Sequence, residues 1–79
     1  MPNYRITEIM KGSGLEGKTI GELREMFEGR LCVFGVSENQ ICPVTIANPS
    51  YVLKPSEKHI YLHVGGDIDT LVEFDKLLR

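Results

Sequence analysis

Hydrophobic and polar residues alternate along this chain in two different rhythms, and the switches between them mark six elements. Tyr4 to Met10 carries Tyr4, Ile6, Thr7, Ile9 and Met10 in a strand-like run whose alternation breaks near Glu8, which predicts a bulge there. From Ile20 to about Glu28 the period lengthens: Ile20, Leu23, Met26 and Phe27 recur at helical spacing, while Glu22, Arg24, Glu25 and Glu28 lie mostly off that stripe. Arg30 to Ser37 is apolar at nearly every position and predicts a central strand. After a turn at Ser37-Glu38-Asn39-Gln40, Ile41 to Ala47 predicts a return strand. Pro43 cannot donate to a ladder, so that strand belongs at an edge or is bulged.

Asn48-Pro49-Ser50 then interrupts the pattern, Tyr51-Val52-Leu53 resumes it briefly, and a polar connection leads into His59 to Val64. This last strand alternates cleanly, with Ile60, Leu62 and Val64 inward and His59, Tyr61 and His63 outward. Asp67 predicts the N-cap of a closing helix whose apolar stripe is Ile68, Leu71, Val72, Phe74, Leu77 and Leu78. The expected fold is therefore α+β, a sheet of about four strands with two helices on one face, in the order β-α-β-β-β-α. With a three-residue turn, Cys32, Phe34 and Val36 share a face with Cys42, Val44 and Ile46 and pack on the helices. Leu31, Val33 and Ile41 then lie on the opposite face. They predict a surface that a second copy of the chain covers, making a homodimer.

One motif competes with this reading. Gly12 to Thr19 fits the phosphate-binding pattern G-x-x-x-x-G-K-[ST] letter for letter. A nucleotide-hydrolysing site also needs an acid at the end of a second strand of a parallel sheet, and each βαβ crossover takes roughly 30 residues. A chain of 79 residues has room for one such unit. The same letters have another mechanism, since Thr19 with Glu22 three residues on is a capping box. Gly29 then supplies the helix stop, and Lys18 is an ordinary solvated lysine.

Length predicts a single domain over residues 1–79, and a net charge of −2 without a basic run argues against nucleic acid as a partner. No apolar stretch approaches the roughly 20 residues of a membrane span, which predicts no direct insertion. The opening residues lead straight into a strand pattern, which predicts no leader. Cys32 and Cys42 have no His or Cys at metal spacing, so a metal site is not expected, and both are read as small buried hydrophobes in a reducing, cytoplasmic setting. No cofactor is expected.

Taken in order, Leu15-Glu16-Gly17-Lys18-Thr19-Ile20-Gly21-Glu22-Leu23, the Arg30 to Val36 strand, Asn48-Pro49 with Leu53-Lys54, and Ile60 to Gly65 with Leu71 and Leu77 resemble the regulator of K+ conductance C-terminal domain family (RCK_C, or TrkA-C). The chain departs from that family at Lys58-His59 and at the Ser37 to Gln40 turn. The resemblance implies a non-catalytic, cytosolic regulatory domain of a potassium or other cation or solute transporter or channel. It implies a dimer, a membrane transporter or channel subunit as partner, and a small effector, with a cyclic dinucleotide as one class. The alternative is a purely structural dimerisation module without a ligand. Candidate ligand residues are Asn48, Pro49, Tyr61 and His63: the Asn amide offers donor and acceptor to a base edge, the Tyr ring can stack, and His titrates near neutrality.

Overall fold

The computed structural model describes residues 3–38 and 44–79. Its elements are β1 (Asn3–Glu8), α1 (Ile20–Met26), β2 (Cys32–Ser37), β3 (Val44–Ile46), β4 (Tyr61–Gly66) and α2 (Ile68–Leu77). The expected α+β order is therefore present. The four strands form one antiparallel sheet in the order β1-β4-β2-β3, so the return strand does lie at an edge. Residues of Ile41 to Pro43 fall outside the described residues.

Both helices cover the same face of the sheet. At seven residues, α1 is far too short to persist alone, because nucleation takes most of what so few hydrogen bonds return. Its ends and its buried side supply the difference. Thr19 Oγ1 accepts from the Glu22 amide at 3.0 Å and Glu22 Oε1 accepts from the Thr19 amide at 3.0 Å, completing the expected capping box. Ile20 and Leu23 are fully buried. At the other end the Glu28 amide donates to the Glu25 carbonyl and the Gly29 amide to the Arg24 carbonyl, which is the Schellman arrangement. Gly29 was expected to be the stop, yet the residue in the left-handed position right after the cap is Glu28, at φ 53°, with Gly29 following at φ 82°.

Asp67 caps α2 as expected, its carboxylate accepting from the Thr70 amide at 2.8 Å. Leu71 and Phe74 seat this helix in the core, and a bidentate bridge from Arg5 to Asp75, at 2.6 and 2.7 Å, fastens it to β1. One hydrophobic cluster joins Ile9, Leu15, Ile20, Leu23, Phe27, Leu31, Val33, Val36, Leu53, Ile60, Leu62, Val64, Leu71 and Phe74. Each fully buried side chain of this size contributes roughly 1.5–3 kcal/mol.

The sheet corrects two expectations. No register shift occurs in β1, which pairs with β4 without interruption from Asn3 to Glu8. The bulge is in β2 instead: Val33 pairs with Val64 and Gly35 with His63, leaving Phe34 as the extra residue. Arg24 donates to the Val33 carbonyl at this kink, at 2.9 Å. An inserted residue inverts the parity of everything beyond it, so Val33 and Val36 both point into the core while Cys32 and Phe34 point out. Leu31 and Val33, expected on a free dimer face, are therefore core residues at 2% and 5% exposure, and Phe34 and Ile46, expected beneath the helices, are exposed. Cys32 is likewise exposed, not buried. Ile41, the third expected dimer residue, lies outside the described residues.

Candidate functional site

The glycine segment is built from hydrogen bonds that close on the chain itself. The amides of Ser13, Gly14, Glu16, Gly17, Lys18, Ile20 and Gly21 donate to main-chain carbonyls, among them Leu77 for Gly14, Leu53 for Gly17, Tyr51 for Ile20 and Pro49 for Gly21. The Gly12 and Thr19 amides donate to the Glu16 and Glu22 carboxylates, and Leu15 donates to Ser13 Oγ. Every amide from Gly12 to Gly21 is thus committed. A phosphate cradle requires such groups to converge on open space, beside a parallel sheet. This sheet is antiparallel and the amides face protein carbonyls. What the segment does is tie four distant places together: the end of α2, the 51–53 segment, Pro49 and the first turn of α1.

A concave site lies elsewhere, and it follows from the shortness of α1 and β3. Pairing places Leu62, Val36 and Thr45 in one row on the helix side of the sheet. Leu62 and Val36 are buried beneath the helices, but Thr45 is exposed. The helix layer stops before it reaches β3. In the gap is a cavity of about 390 Å³ lined by Val36, Ser37, Thr45, Ile46, Asn48 and Tyr51, with Glu38 and Lys58 also on its wall. The last two form an ion pair at 2.8 Å that joins the end of β2 to the loop entering β4. Both side chains are more than half exposed, so this is a solvated pair; the Glu38 carboxylate accepting from Nζ holds Lys58 above the ordinary lysine range. The lining combines an apolar floor, the Thr45 hydroxyl, an amide, an aromatic ring and a neutralised charge pair, a mixture suited to orienting a small polar molecule.

Of the four residues expected to meet a ligand, Asn48 alone lines this cavity. Its side-chain oxygen accepts from the Ser50 amide at 2.9 Å and from Ser50 Oγ at 2.8 Å, and its carbonyl accepts from Tyr51 N–H at 3.0 Å, so the expected turn is present. Its NH₂ remains as the donor it could offer a ligand. Pro49 is not in the lining; its carbonyl accepts from Gly21 at 2.9 Å, and it buttresses the start of α1. Tyr61 and His63 are on the outer face of the sheet, as expected from their alternation. His63, however, is 3% exposed: Tyr4 Oη lies 2.5 Å from its Nδ1 and Ser37 Oγ 2.9 Å from its Nε2. Ser37 connects the two regions, since it both lines the cavity and bonds the imidazole. His59, in contrast, is exposed and bonds Glu8 at 2.8 Å.

Sequence reasoning missed Ser37, Thr45, Tyr51 and Lys58 as cavity residues, because what gathers them is the missing cover over β3. It also missed Phe34 as an outward residue, although a glycine inside a strand, here Gly35, is a signal for a bulge. Among the described residues no group of three or more His, Cys, Asp or Glu side chains could hold a metal ion. Among them, too, no helix is long and apolar enough to cross a membrane.

Comparison of the chain with protein families, with characterised proteins and with solved structures gives no match.

Proposed function

We propose that this chain is a non-catalytic regulatory domain that senses a small polar effector and pairs with a second copy of itself. The observation that carries this reading is the cavity under β3, where an apolar floor meets the Asn48 amide, the Thr45 hydroxyl and the Tyr51 ring. Its place at the uncovered end of the helix layer lets a ligand bridge the sheet and the 48–51 segment, which the Gly21 and Ile20 amides couple to α1. Occupancy would thereby bias the position of that helix, which is how an effector shifts a two-state module. Assignment to a cytosolic potassium or other cation transporter or channel rests on the resemblance in residue order to the RCK_C domains, and a cyclic dinucleotide is one effector class that resemblance suggests.

Thermal melts in the presence of cyclic dinucleotides, adenine nucleotides and divalent ions test the proposal. A ligand at a hundred times its Kd stabilises by about 2.7 kcal/mol. In a domain of this size that raises Tm by roughly 10–20 °C. The shift should disappear in Tyr51→Ala and Asn48→Ala variants. Melts that do not move with any ligand would leave the second reading, a structural pairing module without an effector. The observation favouring that alternative is the bare apolar outer face of the sheet.

A further inference from the structure

We propose that the outer face of the sheet is the surface through which two copies of the chain associate, packed sheet against sheet about a twofold axis. This deepens the dimer half of the function proposed above and rests on it. It replaces Leu31 and Val33, which the core consumes, with Tyr4, Ile6, Phe34 and Ile46, which stand 60%, 40%, 55% and 86% exposed on one side of one sheet.

Four observations point to a second copy as the occupant. The first is relief. Across the middle of the face the row reads Ile6, His63, Gly35, Ile46, so two exposed isoleucines stand on the two edge strands with a buried imidazole and a buried glycine between them. Projecting side chains spaced in this way can pass between those of a second copy, as the inner side chains of aligned sheets do when they interdigitate. The second is polar satisfaction. Both ring nitrogens of His63 already have partners, Tyr4 and Ser37, so closing the face strands no polar group at its centre. The third is charge. The one formally charged residue at the described outward strand positions is Glu8 at the rim, and it is bonded to His59. A nucleic acid or an anionic membrane would need basic groups that this face does not carry, whereas a near-neutral face matches itself.

The fourth is area. Strand spacing and rise give the sheet a plan area of roughly 350 Å², within the range of the largest patch on a monomer, which is often functional. Two such faces, with side-chain relief, bury on the order of 1,000 Å², the lower limit for a specific interface. The other exposed apolar residues, such as Ile68 and Val72 on α2, are not part of this face.

Sedimentation equilibrium over about 1 µM to 1 mM, with the effector panel absent, tests the assignment. The chain should dimerise. Ile46→Glu and Phe34→Glu should each raise the dimer dissociation constant at least about tenfold, with unchanged circular dichroism, while Val72→Glu should leave it unaltered. Alkylation of Cys32 in the unmodified chain, followed by peptide mass, gives a second readout should a variant not fold. Because Cys32 is exposed on this face, its reaction should slow as dimer forms. A dimer that persists in both variants, or in which Cys32 reacts at the monomer rate, overturns the assignment while the homodimer stands. A chain that stays monomeric throughout overturns the homodimer as well, and melts with the effector panel then decide separately whether the cavity senses anything.

Discussion

Replacing Lys18 with Ala should leave nucleotide binding where it started, because the glycine segment holds no triphosphate. For Gly12 to Thr19 to hold a triphosphate, the six amides from Gly14 to Thr19 would have to turn toward it, and all six now donate inside the chain. Each such bond contributes about 0.5–1.5 kcal/mol net, so the turn forfeits roughly 3–9 kcal/mol before any phosphate contact is made. A domain of this length has about 4–12 kcal/mol of stability in all. Rearranging the segment also releases the end of α2 from Gly14 and the 51–53 segment from Gly17, so it amounts to unfolding much of the domain. Isothermal titration of the unmodified and Lys18→Ala proteins with Mg-ATP should give the same result, since Lys18 is not among the cavity residues. A dissociation constant below about 1 mM that the substitution abolishes would refute this reasoning.

Other consequences can be checked on stability alone. Glu28→Gly should stabilise by about 0.5–1 kcal/mol in urea melts, since a left-handed L-residue costs roughly 1–2 kcal/mol and glycine's unfolded-state entropy returns part of that; a loss instead would mean the Glu28 side chain has a role the geometry does not show. Thr19→Ala should cost about 1 kcal/mol, seen as a lower Tm with unchanged helix content in the rest of the chain. Phe74→Ala, at a fully buried site, should cost about 3–5 kcal/mol, read as a lower midpoint in the same urea melts. Glu16 is held below the usual carboxylate range by the Ser56 hydroxyl and then by the Gly12 amide, and Asp67 by the Thr70 hydroxyl and then its amide. Lowered values in the folded state mean stability that is present above the ordinary carboxylate range and lost as pH falls from that range through the lower folded-state values. The acid limb of a Tm-against-pH curve should accordingly flatten in Glu16→Gln, and an unchanged limb would contradict the assignment.

Local chemistry was legible where it involves near neighbours in the chain. The capping box at Thr19 and Glu22, the Asp67 cap, the inward set Ile60, Leu62 and Val64, and the edge position of the strand after Pro43 all follow from spacings of two to four residues. Facing in β2 was not legible by counting alone. Parity was projected through Phe34, and one extra residue reversed it, so Leu31 and Val33 went to the wrong side. The cavity was legible only at Asn48, because its other walls come together through the distance between a seven-residue helix and an edge strand, a tertiary quantity. His63 was read correctly as outward, but its burial depends on Tyr4, which sits 59 positions away.

Phe34 is surplus to the ladder, and that gives the chain an unusual liberty. Cutting it out would leave Cys32 and Gly35 outward, Val33 and Val36 inward, and every pairing partner the same. Whatever the aromatic ring does on the exterior can therefore be strengthened, weakened or erased by changing a single surplus position, with no renegotiation of the interior.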